Sequence, residues 1–336
     1  MSKTIDYKVK ILVDGKEQLV TITADAKTLQ KSLQQTQTTA TRVNKALMGF
    51  NQSVMAVSTL RDSIQSLTAE SNAYSSAMAK ANTMAGKQGQ DFQQMKDSVS
   101  DLAKEVPMAR DALADGLYQV ISNGVPENNW IDYLRASARA SVGGIADLGE
   151  TVKVTSTIIK NYGLEWNDAT AVQDKIQLTA KNGVTSFEQL AAALPRVTGN
   201  AATLGVSIDD LMATFATLTG VSGNTAEVST QLAAIFTALI KPSSEATKMA
   251  QKMGIEFDAA AIKSAGGFRQ FLTQLDTSVQ AYAQRTGTLS QEIYGKLFGS
   301  AESLRAIGPL TGQLSEKFGS SVKCVDACRE GRIVLE

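Results

Sequence analysis

Cys324 and Cys328 stand four residues apart near the C-terminal end of the 336-residue chain. On a helix that spacing puts both thiols on one face and permits redox or metal chemistry. A metal site usually wants four ligands, and the sequence offers no third cysteine and no histidine, so two ordinary thiols account for the pair. The missing histidine also removes Ser-His-Asp triads, Cys-His pairs and His-based zinc sites from this chain. A lysine nucleophile or a carboxylate pair of the glycosidase kind stays open, with Glu150 or Glu188 as the acid, but either needs a pocket to position it. Ser186-Phe187-Glu188-Gln189 has capping-box spacing, which accounts for Glu188 and Gln189 without chemistry. Gly143-Gly144 ahead of Asp147 would suit an anion nest, and a loop between helices explains it equally. Gly86-Lys87 and Gly295-Lys296 lack the upstream glycine and downstream hydroxyl of a phosphate loop. Asn51-Gln52-Ser53 matches a glycosylation acceptor. No catalytic, cofactor-binding or metal-binding residue is assigned.

Composition points the same way. Thirty-three basic and thirty-three acidic residues cancel, so no global field draws the chain to nucleic acid or anionic lipid. Aromatic content is 6% and prolines number five, which suits a helical protein with much surface. The length suggests about two or three domains. There is no run of about 18 apolar residues, and the first residues lack the order of a signal peptide, so the expectation is a chain that is cytosolic when made.

The elements that would position any site centre on Leu117 to Ser243. Helical runs there are punctuated by Asn123-Gly124-Val125, Tyr162-Gly163-Leu164, Asn182-Gly183-Val184, Leu204-Gly205-Val206 and Thr219-Gly220-Val221. Each reads as a helix stop, the glycine closing the helix in left-handed backbone. Fresh starts follow at Asn128 or Asn129, Asn167, Ser186, Ser207 and Asn224. The uneven glycine spacing favours one compact domain of short helices over a fixed-period solenoid. Trp130, Tyr133, Leu134 and Ala138 form one core stripe, and Leu148, Val152, Ile159 and Tyr162 another. Pro195 restarts or kinks the helix after Leu194.

Upstream, Tyr7, Val9, Ile11 and Val13 alternate with polar residues before Asp14-Gly15 and Leu19 to Thr23, which predicts a β-hairpin. A lone hairpin is marginal in water, which hints at assembly. From Leu29 to Thr68 the steps change to four and three, a heptad pattern, and would build a rod roughly 60 Å long. Its candidate oligomerisation seam is Leu29, Leu33, Val43, Leu47, Phe50, Val54, Val57 and Ile64. The alternative is a long amphipathic helix lying on the protein's own core. Gly86 and Gly89 break the helix at a joint. Asp91 then caps a helix with Phe92, Met95, Val99, Leu102 and Val106 inward, Pro107 ends it, and another follows with Ala109, Leu113, Leu117 and Val120 inward. Later helices are expected around Ala246 to Met253, Phe268 to Tyr282, Ile293 to Phe298 and Leu310 to Phe318. The predicted fold is mainly α: a β-hairpin at 1–25, a long heptad-patterned helix and joint at 26–90, a multi-helical array at 91–320 and an atypical tail at 321–336.

Several ordered segments resemble the core of phage tail tape measure proteins. They are Leu117-Tyr118-Gln119-Val120-Ile121-Ser122-Asn123-Gly124-Val125-Pro126, Ala140-Ser141-Val142-Gly143-Gly144 with Asp147-Leu148, and Tyr162-Gly163-Leu164. Leu204-Gly205-Val206-Ser207 with Asp209-Asp210-Leu211, Ala216-Thr217-Leu218-Thr219 and Ala238-Leu239-Ile240-Lys241-Pro242-Ser243 continue the pattern in order, over about residues 70 to 310. The resemblance implies a structural virion protein that lies in the tail tube, sets its length during assembly and leaves ahead of the DNA. It implies tail-tube, tail-tip and tail-chaperone partners and passage from host cytoplasm to the interior of the virion tail, while self-association is what the hairpin and the heptad seam lead one to expect. Members are generally much longer and often carry apolar membrane-active segments. With the odd tail after Ser321, that departure predicts a short, truncated or frameshifted form, of the kind a prophage would carry. The competing reading is a cytosolic helical scaffold, unrelated to virions, that binds partners through the 29–68 seam. A third is a wall-degrading enzyme resting on carboxylates alone.

Overall fold

A computed structural model of the protein describes the backbone of residues 4–13 and 16–25, and residues 70–311 throughout. Thr4–Val13 (β1) and Lys16–Asp25 (β2) pair antiparallel, with Tyr7 opposite Ile22 and Val9 opposite Val20. The Asp14-Gly15 turn, the 29–68 segment with all eight seam residues, and the tail with Cys324 and Cys328 lie outside the described residues. The chain divides into two units, Met1–Asn72 and Ala73–Glu336. Helices dominate the described residues, and the fold class rests on them: it is mainly α.

Residues 70–311 form a succession of short helices. Helical residues 70–85 (α1) are followed by Gly89–Glu105 (α2), Arg110–Ser122 (α3), Trp130–Gly144 (α4), Leu148–Tyr162 (α5) and Ala169–Asn182 (α6). Next come Phe187–Ala193 (α7), Thr198–Thr203 (α8), Ile208–Ser222 (α9), Thr225–Ile240 (α10) and Ser244–Met253 (α11). Ala259–Ala265 (α12), Phe268–Thr286 (α13), Ser290–Phe298 (α14) and Ala301–Thr311 (α15) complete the described part.

Most of the punctuation folds as its chemistry demands. After Gly124, Gly163 and Gly205 the amides of Val125, Leu164 and Val206 reach back to the carbonyls of Val120, Ile159 and Ala201, at 3.3, 2.9 and 2.9 Å. That is the closing bond of a Schellman end. Ser186, Ser207 and Asn224 cap α7, α9 and α10 through their side chains, and Ser186 and Gln189 complete the expected capping box. Pro195 sits in a 3-10 turn, Leu194–Arg196, between α7 and α8.

Four local expectations are corrected. Gly220 is no stop, because α9 runs through it to Ser222 and closes on Gly223. Gly183 does end α6, but with extended backbone (φ −104°, ψ −176°), so its reason is proximity to another helix. Asp91 lies inside the first turn of α2, which starts at Gly89. Asn129 and Asn167 precede α4 and α6 without capping them, the Asn129 amide instead donating to Asn167 Oδ1 at 2.7 Å and tying two similar 3-10 turns together. The pattern also passed over α12, and α15 begins at Ala301, well before Leu310.

The core gathers around α9. Ten consecutive residues, Asp210 through Thr219, are buried, so this helix is enclosed on every side. α6, α10 and α15 pack against it, while α5 joins α3, α4, α6, α7 and α8 in the preceding layer. Leu211, Phe215, Phe236 and Phe268 are among the fully buried residues. Each such side chain contributes roughly 1.5–3 kcal/mol relative to leaving it in water. Two of its buried threonines bond back to their own helix, Thr214 donating to the Asp210 carbonyl at 2.6 Å and Thr219 to that of Phe215 at 2.7 Å, while the Thr217 hydroxyl is buried without a partner.

Candidate functional site

The carboxylates that sequence chemistry left open stand on two different helices. Glu150 stands on α5 beside Lys153 (3.6 Å), and Glu188 is an exposed first-turn residue of α7. The reciprocal cap belongs to Gln189 alone, whose Oε1 accepts the Ser186 amide at 3.2 Å. Gly143 and Gly144 belong to the end of α4 rather than to a loop between helices, and Gly144 is pressed against the Phe187 side chain. Among the described residues no group of three or more acidic, cysteine or histidine side chains could hold a metal ion. Among the same residues no helix is long and apolar enough to cross a membrane.

The most developed polar site lies at the first turn of α9, where Ser207 starts the helix and Asp209-Asp210 follows. Lys175 of α6 forms an ion pair with Asp209, both side chains about seven-eighths buried at 12% and 13% exposure. Asp210 turns the other way, its Oδ2 accepting the backbone N–H of Phe268 at 3.1 Å. Burial raises the Asp210 carboxyl above the usual carboxylate range, against the partial relief of the Phe268 amide and the Arg269 charge. Burial, and then the negative charges of Asp210 and Asp209, push the Tyr162 hydroxyl upward as well. Both Tyr162 OH and Arg269 Nε are buried without a hydrogen-bond partner. A cleft of about 720 Å³ opens beside Asp210, lined also by Ser207, Lys263, Gly266 and Gly267.

A second cleft, about 610 Å³, runs between α4 and α6 toward Phe187. Arg135 on its wall bonds Glu105 at 3.0 Å and pairs with Asp132. Burial raises the Asp174 carboxyl on the opposite helix. Deeper, Gln173 donates to Ser137 (3.1 Å) and Thr155 (3.3 Å), whereas Gln177 on the same wall keeps its side-chain oxygen buried without a partner.

Where the ends of α4, α6 and α9 adjoin, apolar side chains face outward. Ile145 is 88% exposed, Val184 59% and Val221 53%. Gly144 against Phe187, and the Val184 N–H donating to Thr219 Oγ1 at 3.3 Å, hold these ends together. Ile145 carries φ +50°, the sole left-handed non-glycine among the described residues. A β-branched side chain there is strained. Asp209 and Asp210 were legible as a helix start, but their separate partners were not. Ile145 carried no signal beyond its place after two glycines.

Comparison with known proteins supplies the context. The family model described as phage-related minor tail protein matches residues 96–299, more than half of the chain. The chain is 22% identical over 258 residues to a "Probable tape measure protein" of Clostridium phage phiCD119, a match that covers 75% of this chain and 27% of that protein. It is 20% identical over 186 residues to a "Tape measure protein" of Pneumococcus phage Dp-1, covering 55% of this chain and 16% of the relative. The chain thus spans only a minor part of the length of the curated relatives it matches. No solved structure matches it.

Proposed function

Because the chain belongs to the phage-related minor tail protein family, we propose that it is a structural component of a phage tail, acting as a tape measure within the tail tube. The observation that carries this reading is the family match across 96–299, which falls on α2 to α14, supported by two relatives whose printed names say tape measure protein. In this reading the protein sets tail length and assists assembly and DNA ejection. It is made in the host cytoplasm and comes to rest inside the tail, with tail-tube, tail-tip and tail-chaperone proteins as partners.

The division of labour follows the sequence boundaries. The 91–320 array is the folded head. The 26–90 segment is the measuring and self-associating helix, joined through Leu29, Leu33, Val43, Leu47, Phe50, Val54, Val57 and Ile64 of neighbouring copies. The paired strands within 1–25 belong to that assembly end as a hairpin, and 321–336 is an appendage.

Mass spectrometry of purified intact tails tests the location: the protein is expected in them, and its absence overturns the reading. Length is the sharper measurement. Removing four heptads, about 28 residues, from 29–68 is expected to shorten tails by about 42 Å at the helical rise per residue, whereas unchanged tails remove the measuring role.

A further inference from the structure

The amides at the start of α13 have an unusual acceptor. Its N-cap is Gly267, which has no side chain to receive them. By contrast α5, α7, α9, α10, α11 and α12 are each capped by the side chain of their own N-cap residue. For α13 the acceptor comes from across the domain, Asp210 Oδ2 taking the Phe268 N–H at 3.1 Å over a separation of 58 residues. A Cβ on Gly267 would lie 3.2 Å from that same oxygen, so the bare glycine also makes room for it. Beside this bond the Phe268 ring meets Phe236 of α10 edge-on at 5.6 Å, while the body of α13 packs on α11, α12, α14 and α15.

We propose that the Asp210 carboxylate is a latch that fastens the start of α13 to the central helix α9, with a grip set by pH. The groups around it are Asp209 and Ser207 on its own element, Arg269 on α13, Lys263 across the cleft on α12, Tyr162 on α5 and Lys175 on α6. Lys175 is taken up by Asp209, which leaves Arg269 as the cation acting on Asp210. Asp210 itself is only 7% exposed. Burial therefore disfavours its charge by more than Arg269 and the α13 amides favour it.

When the start of α13 lifts away, Asp210 meets water and its titration returns to the ordinary carboxylate range. The closed state therefore binds the proton more tightly than the open one. By linkage the latch tightens as pH falls through the raised titration and loosens toward neutrality. The cleft beside Asp210 gives the proton its route.

Amide hydrogen exchange on the full chain tests this at Phe268, Arg269 and Gln270, with rates corrected for intrinsic pH dependence. Protection is expected to grow as pH is lowered from about 7 toward the ordinary carboxylate value of about 3.9, by up to about tenfold for each unit separating the closed and open titrations. In Asp210→Asn, which keeps an acceptor but cannot ionise, protection is expected to be flat. A flat wild-type profile overturns the latch, as does an Asp210→Asn profile with the wild-type slope. Carboxyl carbon NMR of the wild-type protein provides a reading independent of that variant. An Asp210 midpoint above the ordinary value of about 3.9 supports the proposal, and one at or below it overturns it.

Discussion

Gly183 stands so close to Thr219 that a Cβ on the glycine would lie 2.5 Å from the threonine hydroxyl oxygen and 3.1 Å from the Ala216 Cα. The end of α6 is therefore laid directly on the backbone of the buried helix α9. The loop that leaves Gly183 is fixed there by the Val184 amide on the same hydroxyl.

Gly183→Ala is accordingly expected to destabilise the domain by about 1–3 kcal/mol through overpacking. Adding Thr219→Ala should restore only part of that, because the Ala216 backbone stays in place. Gly205→Ala is the control: it meets open space but holds φ +71°, so its cost of about 1–2 kcal/mol comes from backbone alone and is unaffected by Thr219→Ala. Denaturant midpoints of the singles and doubles separate the two mechanisms.

Ile145→Gly should stabilise the protein. The isoleucine holds a left-handed conformation while lying 88% exposed, so little packing is lost and strain is relieved. A gain of about 0.5–1 kcal/mol is expected after the extra chain entropy of glycine. A lower thermal midpoint would show that Ile145 makes a contact its exposure does not reveal.

Lys175→Met leaves the Asp209 carboxylate buried without its cation. A loss of about 3 kcal/mol is expected, as for other broken buried pairs. Asp209→Leu together with Lys175→Met should recover most of it, since two apolar groups leave no charge stranded. A double variant no more stable than Lys175→Met would mean that the cost is one of packing.

Alkaline stability should depend on Tyr74. Burial pushes its hydroxyl up to about 12, and that hydroxyl donates to the Lys96 carbonyl at 2.5 Å. The folded protein keeps this proton where the unfolded chain, titrating near 10, has lost it. The contribution is whole below about pH 10 and falls as pH rises toward 12. Tyr74→Phe should flatten that part of the stability curve, measured by denaturant unfolding at stepped pH. An unchanged slope would assign the alkaline loss to other groups.

Local chemistry made much of the helical array legible. Ser186, Ser207 and Asn224 cap because a short polar side chain before an apolar run has one good use, and Gly124, Gly163 and Gly205 close helices because little else tolerates their backbone. The ordered segments from Leu117 to Ser243 carried the family resemblance. Those signals act within a few residues, so they survive without knowledge of the fold.

Contacts between distant residues were decided by the tertiary structure. Gly183 and Gly220 share with the other stops a glycine followed by an apolar residue, yet one answers to Thr219 across the core and the other is carried inside α9. Asp209 and Asp210 read alike as a helix start, but neighbours on a helix point about 100° apart, so packing sent one to Lys175 and the other to α13. The sequence by itself determined where most helices of the array start and stop and which family the chain resembles. Only the fold decided which of those starts and stops also hold one layer to the next, because that depends on which surfaces meet.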